Sequence, residues 1–179
     1  MPQEILDFWF SEEARKLWFK STPEFDALLR DRFREVWEQA RRGELEHWLQ
    51  NASGCLALVI ILDQFPLNMF RGQALAYSTE AQSRNVARTA IQQNFDRLLE
   101  AEQRAFLYMP FMHSEELADQ RRSLELFAQP GLESNLRFAR HHHDLIEKFG
   151  RFPHRNEALG RDSSAAEIDY LNSKQAFTG

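Results

Sequence analysis

Hydrophobic residues along this chain recur at helical spacing. From about Thr22 to Arg42, the stretch TPEFDALLRDRFREVWEQAR places Phe25, Leu28 or Leu29, Phe33, Val36 or Trp37, and Ala40 on one stripe, which predicts an amphipathic helix. Thr22 suits its cap, Pro23 its first turn and Gly43 its end. Upstream, ILDFWF and KLWFK read as short aromatic anchors, and LEHWLQ downstream as a short helical segment. Ser53 to Phe65 is apolar nearly all round. Its β-branched centre alone would suit a strand, but no other convincing strand exists to pair with it, so a central helix is predicted, ended or kinked at Pro66. Gly72 to about Gln93 predicts a helix with a narrow apolar face. EAEQRAFLYM predicts another, stopped by Pro110, and SEELADQRRSLELFAQ a further one capped by Ser114. After the Pro130–Gly131 break comes LESNLRFARHHHDLIEKF, ended by Gly150, and last AEIDYLN, capped by Ser163 or Ser164. The pattern predicts an all-α fold, a single domain over residues 1–179 built from packed antiparallel helix pairs.

Composition narrows this reading without changing it. The 179 residues suffice for one domain with a substantial core, and 15 Phe and 4 Trp supply large packing units. A net charge of -5 gives no broad electrostatic footprint for nucleic acid. The single cysteine, Cys55, excludes an intrachain disulfide and lies in the apolar run CLALVIILD, where a buried structural thiol is expected. The N-terminal residues lack a basic segment followed by a long apolar one, and the longest apolar run, Leu56 to Leu62, is too short to span a bilayer. A cytoplasmic protein, neither membrane-bound nor nucleic-acid-bound and compatible with a homo-oligomer, is the expectation.

Candidate chemistry emerges where polar residues fall on predicted core stripes. After Pro110, the spacing of His113, Leu117, Gln120, Leu124 and Phe127 puts His113 and Gln120 among hydrophobes, while Glu115 and Asp119 lie four apart and could share a cation or an arginine. In the helix before Gly150, His142 points inward and His141 outward. His143 and Glu147 have i,i+4 geometry, but two ligands alone assign no metal. Asp63 and Gln64 lie on the apolar central helix. A buried carboxylate needs a partner, and Arg71 or an arginine of RFPHRN or LGR is the expected one, with Asn68 bridging.

Four stretches, ILDFWF (5–10), LALVIILDQFPLNMFRG (56–72), FLYMPFMHSEELADQ (106–120) and FGRFPHRNEALGR (149–161), closely resemble the bacterial family named only as domain of unknown function 924. The resemblance covers nearly the whole chain. It implies an all-helical fold similar to tetratricopeptide repeats and brings no reaction or cofactor with it. Its polar motif positions correspond here to Asp63, Gln64, Asn68, Arg71, His113, Ser114, Glu115, Asp119, Gln120, His142, Arg151, His154, Arg155, Asn156 and Arg161. Leu67 stands where the family commonly has Arg, and Glu80 replaces its usual Asp.

Three functional readings follow. The leading one is a helical binding protein whose polar pocket is built from the central helix, HSEE and RFPHRN. There Arg71, Arg151 and Arg155 would hold an anionic small molecule or a peptide carboxylate, with His113 or His154 tuning recognition. The second is a metal-dependent, hydrolase-like enzyme using His113, Glu115 and His154 with Asp119 or Asp63. The third is internal closure, in which these groups only satisfy one another. No Walker loop, Rossmann glycine pattern, GxSxG elbow or HExxH pair occurs.

Overall fold

Every regular element among residues 1–177, the residues described by this computed structural model, is helical, and no strand occurs among them. The α-helices are α1 (Pro2–Trp9), α2 (Glu12–Arg15), α3 (Pro23–Arg41), α4 (Ala52–Val59), α5 (Phe65–Met69), α6 (Glu80–Gln92), α7 (Ala101–Met112), α8 (Leu117–Phe127), α9 (Glu133–Phe149) and α10 (Ala165–Leu171). The chain divides into two compact units. One comprises Met1–Arg71 and Leu75–Pro110, the other Gly72–Ala74 and Phe111–Gly179. The sequence gives no sign of this division, because it falls at Pro110 inside α7 and not in a polar linker.

In the first unit, α3 forms as the pattern predicts. Thr22 caps it by accepting from the Phe25 amide, and Phe25, Leu29, Phe33, Trp37 and Ala40 are buried. Rings from several elements interlock: Phe33 meets Phe8 and Phe65 at 4.8 Å each, and Trp9 meets Phe65 at 5.6 Å. Such offset and edge-on contacts add to what burial of the rings contributes. Cys55 is fully buried, and burial pushes its thiol up to about 11, so it is inert.

Of the two outcomes expected at Pro66, an end or a kink, the end does not occur. The chain stays helical, passing from α4 through a π-helical turn, Ile60–Gln64, into α5, where Pro66 sits in the first turn. A proline there lacks the N–H that the Leu62 carbonyl would otherwise accept. The buried Thr79 hydroxyl supplies a replacement at 2.6 Å, and Trp37 Nε1 donates to the same hydroxyl at 3.3 Å. This also explains why the predicted helix from Gly72 starts only at Glu80: Thr79 flanks α6, but its hydroxyl is engaged by Leu62 and makes no cap. Ala52–Met69 thus forms one 18-residue helical run with mean hydropathy 1.4, long and apolar enough to cross a membrane by length and composition, against the shorter run read from sequence. In this protein 83% of it is buried, the behaviour of a core helix.

In the second unit, α8 and α9 pack together as a helical hairpin. Gly150 ends α9 in the left-handed conformation, φ 71°, and its amide closes onto the Ile146 carbonyl at 2.8 Å. Leu145, Ile146, Phe152 and Tyr170 form a core, with Leu117, Phe149, Leu171 and Phe177 packed against it. α7 continues two residues past Pro110, so the predicted stop there does not occur. α8 begins at Leu117, later than predicted, because the Ser114 hydroxyl is engaged in the preceding turn. It accepts from the Glu116 amide and donates to Asp119 at 2.8 Å, and it does not cap the helix.

Candidate functional site

The candidates of the first unit lie near the middle of the central helix and its end. Asp63 and Gln64 are buried within the π-helical turn, and Gln64 Nε2 donates to Asp63 Oδ2 at 2.6 Å. Arg71 does not pair with Asp63, as was expected, but with Asp26 on α3: Nε to Oδ2 is 2.7 Å and Nη2 to Oδ1 is 3.2 Å. Asn68 donates to Asp26 Oδ1 at 2.7 Å and to the Ser21 hydroxyl at 2.9 Å. Burial pushes the Asp26 carboxyl up, but hydrogen bonds from Arg71, Ser21 and Asn68 outweigh it and hold the group below its usual range. The effect is to tie the end of the central helix to α3.

RFPHRN organises the second unit. Phe152 is fully buried, and its amide donates to Glu115 Oε1 at 2.8 Å. Arg161 grips the same carboxylate with both terminal nitrogens, at 2.8 and 2.9 Å, while its Nε donates to Asn156 Oδ1 and its Nη2 to the Phe152 carbonyl. Burial raises the Glu115 carboxyl, but the Arg161 and Phe152 hydrogen bonds prevail and keep it ionised. Asn156 Nδ2 donates to the Ser163 hydroxyl at 3.0 Å. Arg151 forms a second two-point pair, 2.7 and 2.9 Å, with Glu167, and also donates to the Asp162 carbonyl. Glu167 closes a capping box with Ser164, and the Arg151 hydrogen bond holds its carboxyl at about 2.

Glu167 was missed as a site residue, although the S-A-A-E spacing from Ser164 signals a capping box. Asp26 and Phe177 carry no comparable sequence signal. Of the three arginines expected to cradle an anion, Arg71 and Arg151 are each engaged by a carboxylate. Arg155 is buried, donates to the His113 carbonyl at 2.8 Å and lies 4.8 Å over the Phe152 ring.

Around Phe152 the lining is aromatic, with the Arg155 guanidinium over the ring. His142 is buried as its phase predicts, and its Nδ1–H donates to the Phe138 carbonyl at 2.8 Å. Burial, with a smaller contribution from His113, pushes its pKa down to about 3. His154 is likewise pushed to about 3, first by burial and then by Arg155, and its Nδ1 is buried with no hydrogen-bond partner among the described residues. The His142 ring lies 6.3 Å from that of His113 and 5.4 Å from that of Phe152, which in turn lies 5.7 Å from His154. The Phe177 ring, from the tail beyond α10, wedges between His142 at 4.8 Å and His154 at 5.0 Å. Gln120 is fully buried on α8, its amide nitrogen donating to the Met112 and Ser114 carbonyls at 2.7 Å each.

The family profile described as "Bacterial protein of unknown function (DUF924)" matches residues 5–175. The chain belongs to this family. It is similar, at 40% identity and a TM-score of 0.91, to a solved structure described as a protein of unknown function, ATU0120, from Agrobacterium tumefaciens, with 96% of each chain covered. No curated protein matches the DUF924 chain.

Two arrangements bear on the metal alternative. His113, Glu115, Asp119 and His154 do not come together as a ligand group among the described residues. His143 and Glu147 do come within 4.8 Å of each other and of Asp144, on the outer side of α9. A shallow groove of 570 Å³ in the first unit, beside Glu4, Phe8 and Arg32, contains none of the candidate residues.

Proposed function

We propose that this DUF924 protein is a helical binding protein whose ligand site is the aromatic and imidazole-lined region around Phe152 in the second unit. The observation that carries this reading is the orphaned His154 Nδ1: a buried polar atom without a partner among the described residues, beside an aromatic wall, calls for a hydrogen-bond partner that a ligand supplies. The ligand is a peptide or small molecule recognised through an aromatic or apolar group with a polar edge. An anion cradle is less favoured, because Arg151 and Arg161 are already matched by Glu167 and Glu115. Acid–base catalysis is less favoured as well. A general base works best with a pKa near the operating pH, and His142 and His154 at about 3 lie far below it.

The same reading takes the protein as cytoplasmic, compatible with a homo-oligomer, and without a membrane or nucleic-acid role. The α8 and α9 hairpin supports a tetratricopeptide-like stacking of helix pairs as the finer description of the fold. The test is an NMR titration with indole, an aromatic donor, following the imidazole resonances in the full chain and in Phe177→Ala. A saturable shift at His154 is expected, strongest in Phe177→Ala and absent from His154→Phe. Unmoved His154 resonances in both chains at saturating indole would sink the reading.

A further inference from the structure

We propose that this site is a seat for an aromatic side chain carried on an extended peptide segment, and that the chain's own tail, through Phe177, competes for the seat in cis. The inference rests on the binding reading above and names both its ligand class and its regulation. Phe177 meets His142 and His154 edge-on, at interplanar angles of 64° and 84°. These are favourable aromatic geometries, made to rings that are themselves fixed by a helix and by the RFPHRN turn.

The tail is otherwise held by short-range bonds: the Ser173 hydroxyl donates to the Tyr170 carbonyl at 2.7 Å, and the Ala176 amide donates to the Ser173 carbonyl at 3.2 Å. α10 ends at Leu171, and residues 172–175 are exposed. Beyond them, the Phe177 amide donates to the Tyr170 hydroxyl at 2.8 Å, and that hydroxyl also lies 3.3 Å from His141 Nε2. One aromatic anchor in a preformed seat is the way a short peptide binds a protein surface. A segment held by such short-range bonds opens more readily than the core it leaves. When Phe177 withdraws, the His142 and His154 rings that it meets are uncovered together. A partner is therefore a peptide presenting Phe, Tyr or Trp, of which Tyr brings a hydroxyl that pairs with Nδ1 as donor or acceptor.

A tethered tail acts at an effective concentration on the order of mM. Where tail and free peptide have equal intrinsic affinity near 100 µM, the intact chain then binds the free peptide about 10-fold more weakly than a chain without the plug.

Fluorescence anisotropy with the labelled synthetic peptide SKQAFTG, the sequence of residues 173–179, tests this on full-length protein. Phe177→Ala is expected to bind the peptide about 10-fold more tightly than the natural chain. Tyr170→Phe, which removes the tether's acceptor and keeps the ring, should fall between them. The peptide carrying Ala in place of Phe should bind none of the three. Equal affinity of Phe177→Ala and the natural chain for SKQAFTG would overturn the competition. Failure of Phe177→Ala to bind the peptide, in a chain whose His154 still responds to indole, would overturn the peptide ligand and leave the binding site standing. Loss of both responses would overturn the binding reading itself.

Discussion

The two units use the same residue types to opposite ends. The first unit buries carboxylates inside its helical core, Asp63, Glu80 and Asp96. There neutral groups, the Gln64 amide and the Tyr108 hydroxyl, donate to Asp63 and Asp96, and the Thr79 hydroxyl donates to the Leu62 carbonyl. The Asp26–Arg71 pair lies toward the rim, with the Arg71 side chain 53% exposed. In the second unit the chain around Phe152 is irregular, and ionised side chains clamp it: Glu115 with Arg161, and Glu167 with Arg151. Two imidazoles are held neutral beside these pairs. The difference teaches that a loop carrying core residues is held by two-point ion pairs that replace the missing backbone ladder.

Acid is the strongest way to separate the units. His142 has a folded pKa of about 3 against 6.5 for the free group, so between these values the unfolded state binds the extra proton. Its contribution is therefore present above pH 6.5 and falls by about 1.4 kcal/mol per pH unit as pH drops toward 3. His154 acts in the same direction, and Glu167 adds a loss as pH falls from 4.5 toward 2. The first unit's only histidine, His47, is exposed. Hydrogen exchange at pH 7 and pH 4.5 should show amides of α9 and α10 losing protection ahead of those of α3 and α4. The reverse order would contradict the contrast.

Next in size is a lesion in the first unit. A Cβ at Gly54 would meet the Trp48 carbonyl oxygen at 2.0 Å, and backbone cannot step aside as a side chain can. Gly54→Ala is expected to cost about 3 kcal/mol, at the upper end for overpacking, read from the urea midpoint. A change within error would show that the segment from Glu46 to Gln50 gives way freely.

Glu115→Ala removes the acceptor of both Arg161 and the Phe152 amide. A loss of about 2 to 3 kcal/mol is expected, less than for a fully buried pair because both side chains keep some exposure. Glu115→Gln, which preserves the acceptor for Phe152, should recover part of it. Equal losses from the two variants would place the whole effect in charge.

The smallest effect is expected from Arg71→Ala, about 1 kcal/mol or less for so exposed a partner. Its loss should shrink further in 1 M salt, which screens rim charges. A loss as large as that of Glu115→Ala would erase the distinction between rim and interior pairing.

Much of the fold was legible because it rests on local rules. The stripe of α3, its Thr22 cap, the Gly150 stop and the inward phase of His142 all follow from spacing and end chemistry. The elements that were misread are those where a distant group altered a local rule. Pro66 did not end its helix because Thr79 satisfies Leu62, and Thr79 therefore could not cap α6. Ser114 looked like a cap and is instead drawn to Asp119. Among the site residues, RFPHRN was expected to meet HSEE and the central helix together; Phe152 and Arg155, with Arg161 of LGR, meet Glu115 and His113 of HSEE, while Arg71 pairs with Asp26. The sequence did not find Asp26, Glu167 or Phe177, whose roles depend on partners 45, 16 and 35 positions away along the chain.

The sequence by itself determined that the chain is helical and which faces of its longer helices are buried. These are consequences of the 3.6-residue period and of capping chemistry, and both act within a few residues. Tertiary structure decided which carboxylate each arginine meets, that two histidines are neutral, and that Phe177 fills the space between them. Pairing, desolvation and wedge packing arise only when segments far apart in sequence share a volume from which water has been removed.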